Sequence, residues 1–162
     1  MFNCCLLTFQ TIKMKLEDEI KQKEFKSQQH KLSVNIGYTA NWFEGKFSKL
    51  LKEYNLTPQQ YNILRILRGQ NPNPATIKLL KERMLDKMSD ASRLVDNLFK
   101  KGFLKRETAT YDRRHCDVLI NEKGLETLAE IDKRLPDHEK LLDTLSLDEM
   151  QILNDLLDKL RG

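Results

Sequence analysis

The sequence is short of the residues that would mark most alternatives to a plain helical protein. Its 162 residues hold three cysteines, two of them adjacent. That is too few for a disulfide framework and points to a reducing, cytoplasmic setting. No apolar run reaches the roughly 18 residues of a membrane span, so no membrane partner is expected. The three histidines, His30, His115 and His138, show no H-x-x-x-H spacing and stand beside no C-x-x-C, so neither a metal nor any other cofactor is expected. His115 and Cys116 are neighbours in a strand-like stretch, where successive side chains face opposite ways, and so do not make a nucleophile–base pair. An enzyme is therefore not expected. No internal repeat or low-complexity tract is present.

Positive charge is abundant but unevenly placed. The net charge is +4. Between Pro58 and His115 there are 13 Lys and Arg against 6 Asp and Glu, a surplus of +7, whereas residues 121–162 carry 6 against 11, a deficit of −5. A basic centre with an acidic tail implies that the central module alone faces a polyanion.

That centre contains the most informative stretch, residues 79–120. The spacing predicts a short helix, a turn, and a second helix from about Asp86 to Lys101. Ala91, Leu94, Val95 and Leu98 fall at i, i+3, i+4 and i+7 and give the second helix one apolar face. Ser89, Asp90, Ser92, Arg93 and Asn97 lie off that face and are mostly short or hydrogen-bonding, as close approach to base edges requires. Gly102 suits the left-handed C′ position, and Lys100 and Lys101 suit the negative end of the helix dipole. Two strands follow, Phe103–Glu107 and Cys116–Ile120, the second alternating Cys116, Val118 and Ile120. The polar loop between them, Thr108 to His115, contains Asp112-Arg113-Arg114. The expected fold is mainly α with a small β-wing: a helix-turn-helix followed by a wing, which presents one helix to a DNA groove.

The segment LLKERMLDKMSDASRLVDNLFKKGFLKRE, with its L-x-x-x-G-h-h-x-R exit (h apolar), and the following DRRHCDVLINEKG, with a D-x-R wing and an N-x-x-G helix start, resemble the MarR family of winged-helix transcription regulators. The likeness in layout covers about residues 30–160. Two departures matter. The turn Leu85-Asp86-Lys87-Met88 lacks the family's small residue, and Lys87 stands where a Ser cap is usual, so Asp86 is expected to cap the second helix. Asn121 replaces the family's Thr and caps equally well.

The resemblance implies a homodimer that binds a pseudo-palindromic duplex and regulates transcription as a repressor, with half-sites about one helical turn apart. It also implies release by a small aromatic or anionic effector bound between the dimer helices and the reading head, where Tyr38, Trp42 and Tyr61 are the candidate lining. Arg93 is the expected base reader or phosphate clamp, with Ser89, Asp90 and Ser92 near the groove floor. Lys87, Lys105 and Arg106 are expected phosphate contacts. In the wing, Asp112 pairs with one arginine. The resemblance assigns Arg113 to that pair and Arg114 to the minor groove, or the reverse. Some members of the family sense peroxides through a cysteine of the first helix. No cysteine lies between Met14 and His115, and Cys116 is expected to be a buried, inert strand residue. A second use of the same fold, a dimeric protein-interaction module without sequence-specific DNA reading, is favoured by the modest net charge and by Asp90.

The rest of the chain fits around the reading head of residues 57–120. Residues 1–13 have no positive start and no small-residue cleavage site, so they do not read as a signal peptide. Composition changes abruptly at Met14, and they are expected to be an upstream start artefact or a disordered or partner-packed extension. Residues 14–56 carry helical patterning from Leu16 to about Tyr54, with a bend at Gly37. So long a helix has too little partner surface in one small chain, and its first part is expected to pack between subunits. Thr57-Pro58-Gln59-Gln60 is a capping box opening a helix that Gly69 stops, and a further helix is expected from Ala75 to Met84. In residues 121–162, Asn121 caps a helix that Pro136 interrupts or kinks. Ser146 opens a last helix whose apolar stripe, Leu147 to Leu160, needs a partner.

Overall fold

The computed structural model describes residues 15–108 and 116–162. They fall into two compact units, divided between Phe43 and Glu44.

In the first unit the expected continuous helix is broken. Helix α1 covers Leu16–Glu19, and α2 (Gln28–Lys52) begins only after an irregular stretch in which Lys21 takes a positive φ of 54°. Ser27 starts α2 by accepting from the His30 N–H at 3.1 Å. A Ser side chain that satisfies an early helical N–H favours a start there over an unbroken helix. Gly37 lies inside α2 rather than at the break. Lys31 pairs with Glu17, and the Tyr38 hydroxyl donates to Glu19 at 2.5 Å, so α1 and α2 are tied by charge and hydrogen bonds.

The second unit holds the core. Helix α3 (Pro58–Gln70) opens with the expected box: the Gln60 N–H donates to Thr57 Oγ1 at 3.2 Å and the Thr57 N–H to Gln60 Oε1 at 3.1 Å. It runs one residue past Gly69, so the glycine does not stop it, and its last turn closes on the Asn71 N–H. The helix expected from Ala75 does not start there. Ala75–Thr76 form a two-residue strand, β1, and Thr76 then caps α4 (Ile77–Arg83) by accepting from the Leu79 N–H at 3.2 Å. Ala75 is fully buried opposite Val118 in a three-stranded antiparallel sheet of order β1-β3-β2. Strands β2 (Leu104–Thr108) and β3 (Cys116–Ile120) pair from Leu104↔Ile120 to Thr108↔Cys116. This is the base of the expected wing.

Helix α5 spans Ala91–Lys100. Its exit is a Schellman motif: the Phe103 N–H donates to the Leu98 carbonyl at 3.0 Å and the Gly102 N–H to the Phe99 carbonyl at 2.9 Å, with Gly102 at φ +75°. Helix α6 (Glu122–Glu139) starts at Asn121, whose Oδ1 accepts from the Gly124 N–H at 3.0 Å while its Nδ2 donates to the Gly102 carbonyl at 2.9 Å. One side chain thus joins the end of α5 to the start of α6. Pro136 sits within α6 and does not interrupt it. Helix α7 (Leu147–Arg161) carries the expected Ser146–Glu149 box.

Ile63, Leu64 and Leu67 of α3, Leu80 of α4, Val95 and Leu98 of α5, Val118 of β3, and Leu128 and Ile131 of α6 are almost wholly buried in one cluster. Each such side chain contributes roughly 1.5–3 kcal/mol by leaving water. Arg68 and Asp132, paired at 2.5 Å, clamp α3 to α6 at its edge. No residue of α7 is buried. No helix among the described residues is long and apolar enough to cross a membrane.

Candidate nucleic-acid interface

The first turn of α5 is set by two aspartates with different tasks. The Asp90 carboxylate accepts from the Arg93 N–H at 3.1 Å and is the N-cap. Asp86, expected as the cap of a helix starting four residues earlier, instead organises the preceding turn. It accepts from the Met88 N–H at 2.9 Å and from the Ser89 hydroxyl at 2.6 Å. The Ser89 bond, followed by the Met88 amide, holds the Asp86 carboxyl below the usual carboxylate range. A cap must stand just before the first helical residue with its acceptor over the second or third N–H. Asp90 meets that condition for a helix beginning at Ala91.

Ser92 and Arg93 are exposed on this first turn, and Arg93 makes no ion pair among the described residues. Asn97, one turn further on, is half-buried. Lys87 bends back to donate to the Glu82 carbonyl at 2.5 Å, near the end of α4. Lys105 is exposed on β2.

Arg106 of β2, expected as a phosphate contact, also has partners within the chain. It is ion-paired with Asp96 of α5, and its guanidinium lies 5.2 Å from the centroid of the Phe99 ring. Asp96 and Phe99 are one turn apart on α5, so a single arginine spans that turn. Neither residue stood out in the sequence. Their i, i+3 spacing on the polar side of the helix is the signal that was available. Asn62 of α3 was also missed; its Oδ1 accepts from the Leu85 N–H at 3.0 Å and anchors the turn from behind.

The wing residues Asp112, Arg113 and Arg114 lie outside the described residues, as do His115 and the side chain of Cys116. The three residues expected to line an effector cleft are described one by one. In the first unit, Tyr38 is half-buried with its hydroxyl on Glu19, a bond that pushes the phenol above its ordinary pKa. Trp42 is 41% exposed and tilts against Phe43. In the second unit, Tyr61 is buried, meets Phe47 edge-on at 5.1 Å, and accepts from Arg65 at 2.8 Å. A recess of ≈ 340 Å³ in the second unit is lined by Glu53, Tyr54, Asn55, Lys101, Phe103, Lys123 and Thr127, without Tyr61. Among the described residues no group of three His, Cys, Asp or Glu side chains is placed to hold a metal ion.

The sequence and the fold have counterparts. Residues 56–116 match the family model described as MarR family. The chain is 31% identical over 112 residues to the HTH-type transcriptional regulator MgrA of Staphylococcus aureus, covering 69% of this chain and 74% of that one. Among solved structures, a MarR-like regulator from Bacillus cereus superposes with a TM-score of 0.74 at 22% identity, over 82% of this chain and 95% of that one. The organohalide-sensing regulator RdhR, solved with 2,4-dichlorophenol bound, gives 0.76 at 20% identity, over 93% and 86%. The S. aureus MepR–DNA complex gives 0.70 at 18% identity, over 85% and 97%.

Proposed function

The chain belongs to the MarR family of winged-helix transcription regulators, and from that premise we propose that it is a cytoplasmic, homodimeric repressor, not an enzyme, that binds a pseudo-palindromic duplex. The observation that carries this reading is the first turn of α5. A helix capped by Asp90 offers Ser92 and Arg93 to solvent, and Arg106 braces the same helix to the wing strand. An exposed, pre-positioned arginine at a helix start is what bidentate recognition of a guanine edge requires. Lys87, Ser89, Asp90, Asn97, Arg106 and the wing residues Asp112, Arg113 and Arg114 complete the proposed DNA-facing set. The related MepR was solved with DNA.

The exposed apolar stripe on α7 supports the dimer. Leu147, Ile152, Leu153, Leu156 and Leu160 are 45–83% exposed, and Leu32 and Ile36 of α2 are also open to solvent. Large apolar side chains arrayed along a helix imply a partner surface. In our reading residues 14–56 and 121–162 supply it in a second copy. Release by a small aromatic or anionic effector is part of the proposal, since RdhR was solved with a dichlorophenol. Tyr38 and Trp42 are its candidate contacts. A ligand acts by favouring the dimer geometry that does not fit DNA. The alternative use as a protein-interaction module had the modest net charge and Asp90 in its favour; a carboxylate engaged in capping no longer argues for it.

The test is binding of the full chain to its own upstream region and to unrelated duplexes at several salt concentrations, with sedimentation to fix the oligomer. Preference for one duplex by a dimer is expected, with Arg114→Ala weakening binding and sparing the dimer. Equal affinity for all duplexes, or a monomer, would remove the proposal.

A further inference from the structure

The turn between α4 and α5 leaves two large apolar side chains in solvent. Met88 is 94% exposed and Leu85 is 87% exposed, more than any other large hydrophobic among the described residues. Water is an unfavourable surround for both. Yet the turn is not loosely held. The Leu85 N–H is bonded to Asn62, Lys87 to the Glu82 carbonyl, and the Met88 N–H and the Ser89 hydroxyl to Asp86. The inward position between the helices is already filled by Met84, which is 1% exposed. The backbone therefore holds Leu85 and Met88 outward just ahead of the helix start proposed to enter the groove.

The flanking charges indicate what these side chains meet. Lys81, Arg83, Lys87 and Arg93 surround the turn in sequence against Glu82, Asp86 and Asp90, and the two aspartate carboxylates are taken up by donors of the turn and of α5. A polyanion fits such a surround. The apolar feature that a polyanionic duplex offers in its major groove is the C5-methyl group of thymine. We propose that Met88 and Leu85 read thymine methyl groups, making this turn a sequence-determining element ahead of the polar residues of α5. The inference rests on the DNA-reading function proposed above and specifies one part of it.

The experiment uses duplexes that the full chain selects from a random pool. Each thymine is replaced in turn by deoxyuridine, which keeps base pairing and lacks the methyl group. At one or more positions the affinity should fall about fourfold, the worth of one buried methyl-sized group. Met88→Ala or Leu85→Ala should abolish that difference, with thermal unfolding unchanged because both residues are exposed. Met88→Leu, which keeps an apolar side chain, should retain it if Met88 is the reader at that position. No effect at any thymine, or a penalty of equal size in both alanine variants, would overturn methyl reading while leaving DNA binding intact. Retention of no duplex at low salt would overturn the DNA reading and this inference with it.

Discussion

Arg106 on β2 is ion-paired with Asp96 on α5, and the same guanidinium lies over the Phe99 ring one turn along that helix. The wing strand and the proposed recognition helix are thereby held in register by a side chain expected to meet phosphate. The pair is part-exposed, with 31% and 51% of the two side chains accessible, so it sets geometry more than it adds stability.

A double-mutant cycle with Asp96→Asn and Arg106→Gln should give a coupling of roughly 0.2–1 kcal/mol in urea unfolding, decreasing as salt screens the pair. Phe99→Leu should reduce the coupling, since the ring helps to place the guanidinium. Additive single mutants would mean that the pair does not hold the strand to the helix.

The two aspartates before α5 should separate cleanly. Asp90→Ala should destabilise the protein by about 0.5–2 kcal/mol, and Asp90→Ser should restore most of the loss. Asp86→Ala should cost less, because its bonds order a turn and not a helix end. Thermal unfolding of the three variants decides between them, and a larger loss at Asp86 would return the cap to that residue.

Gly124 tests the close approach of α6 to the sheet. A Cβ there would meet the Phe103 carbonyl oxygen at 2.6 Å and Ile120 Cγ1 at 2.7 Å. Backbone cannot yield as a flexible side chain can, so Gly124→Ala should cost about 1–3 kcal/mol. Gly69→Ala adds its methyl group in open space within α3 and should be neutral or stabilising by up to about 1 kcal/mol. Matching denaturation midpoints for the two variants would contradict this packing.

Acid should weaken the fold through specific carboxylates. The bond from Arg134 lowers the Glu53 pKa, the Ser89 hydroxyl lowers that of Asp86, and Lys140 lowers that of Asp137. A lowered folded pKa gives a stability contribution that is present above the unfolded carboxylate range and is lost as pH falls through the folded value. Urea midpoints should therefore be independent of pH near neutrality, where these contributions are fully present, and fall below about pH 4. Glu53→Gln, Asp86→Asn and Asp137→Asn should each flatten that fall. An acid transition unaltered by all three would point to other groups.

Several interactions that span four residues or fewer were legible in the sequence, although the equally local Ser27–His30 and Thr76–Leu79 caps were not. The Thr57–Gln60 and Ser146–Glu149 boxes, the Gly102 exit and the apolar face of α5 all stand where the spacing put them, because each rests on a near-neighbour hydrogen bond or on helical periodicity. The basic centre and the family motif followed from residue order alone. Tertiary structure decided the rest. Ala75 became strand because Val118, far along the chain, offered it a paired and buried place. The helix start moved to Ala91, a choice between two nearby aspartates, Asp86 and Asp90, that local propensity ranks equally. Arg106 met Asp96 and Phe99 only once β2 had folded back beside α5. Local bonds set where elements can begin and end; which surfaces meet depends on contacts between residues distant in sequence.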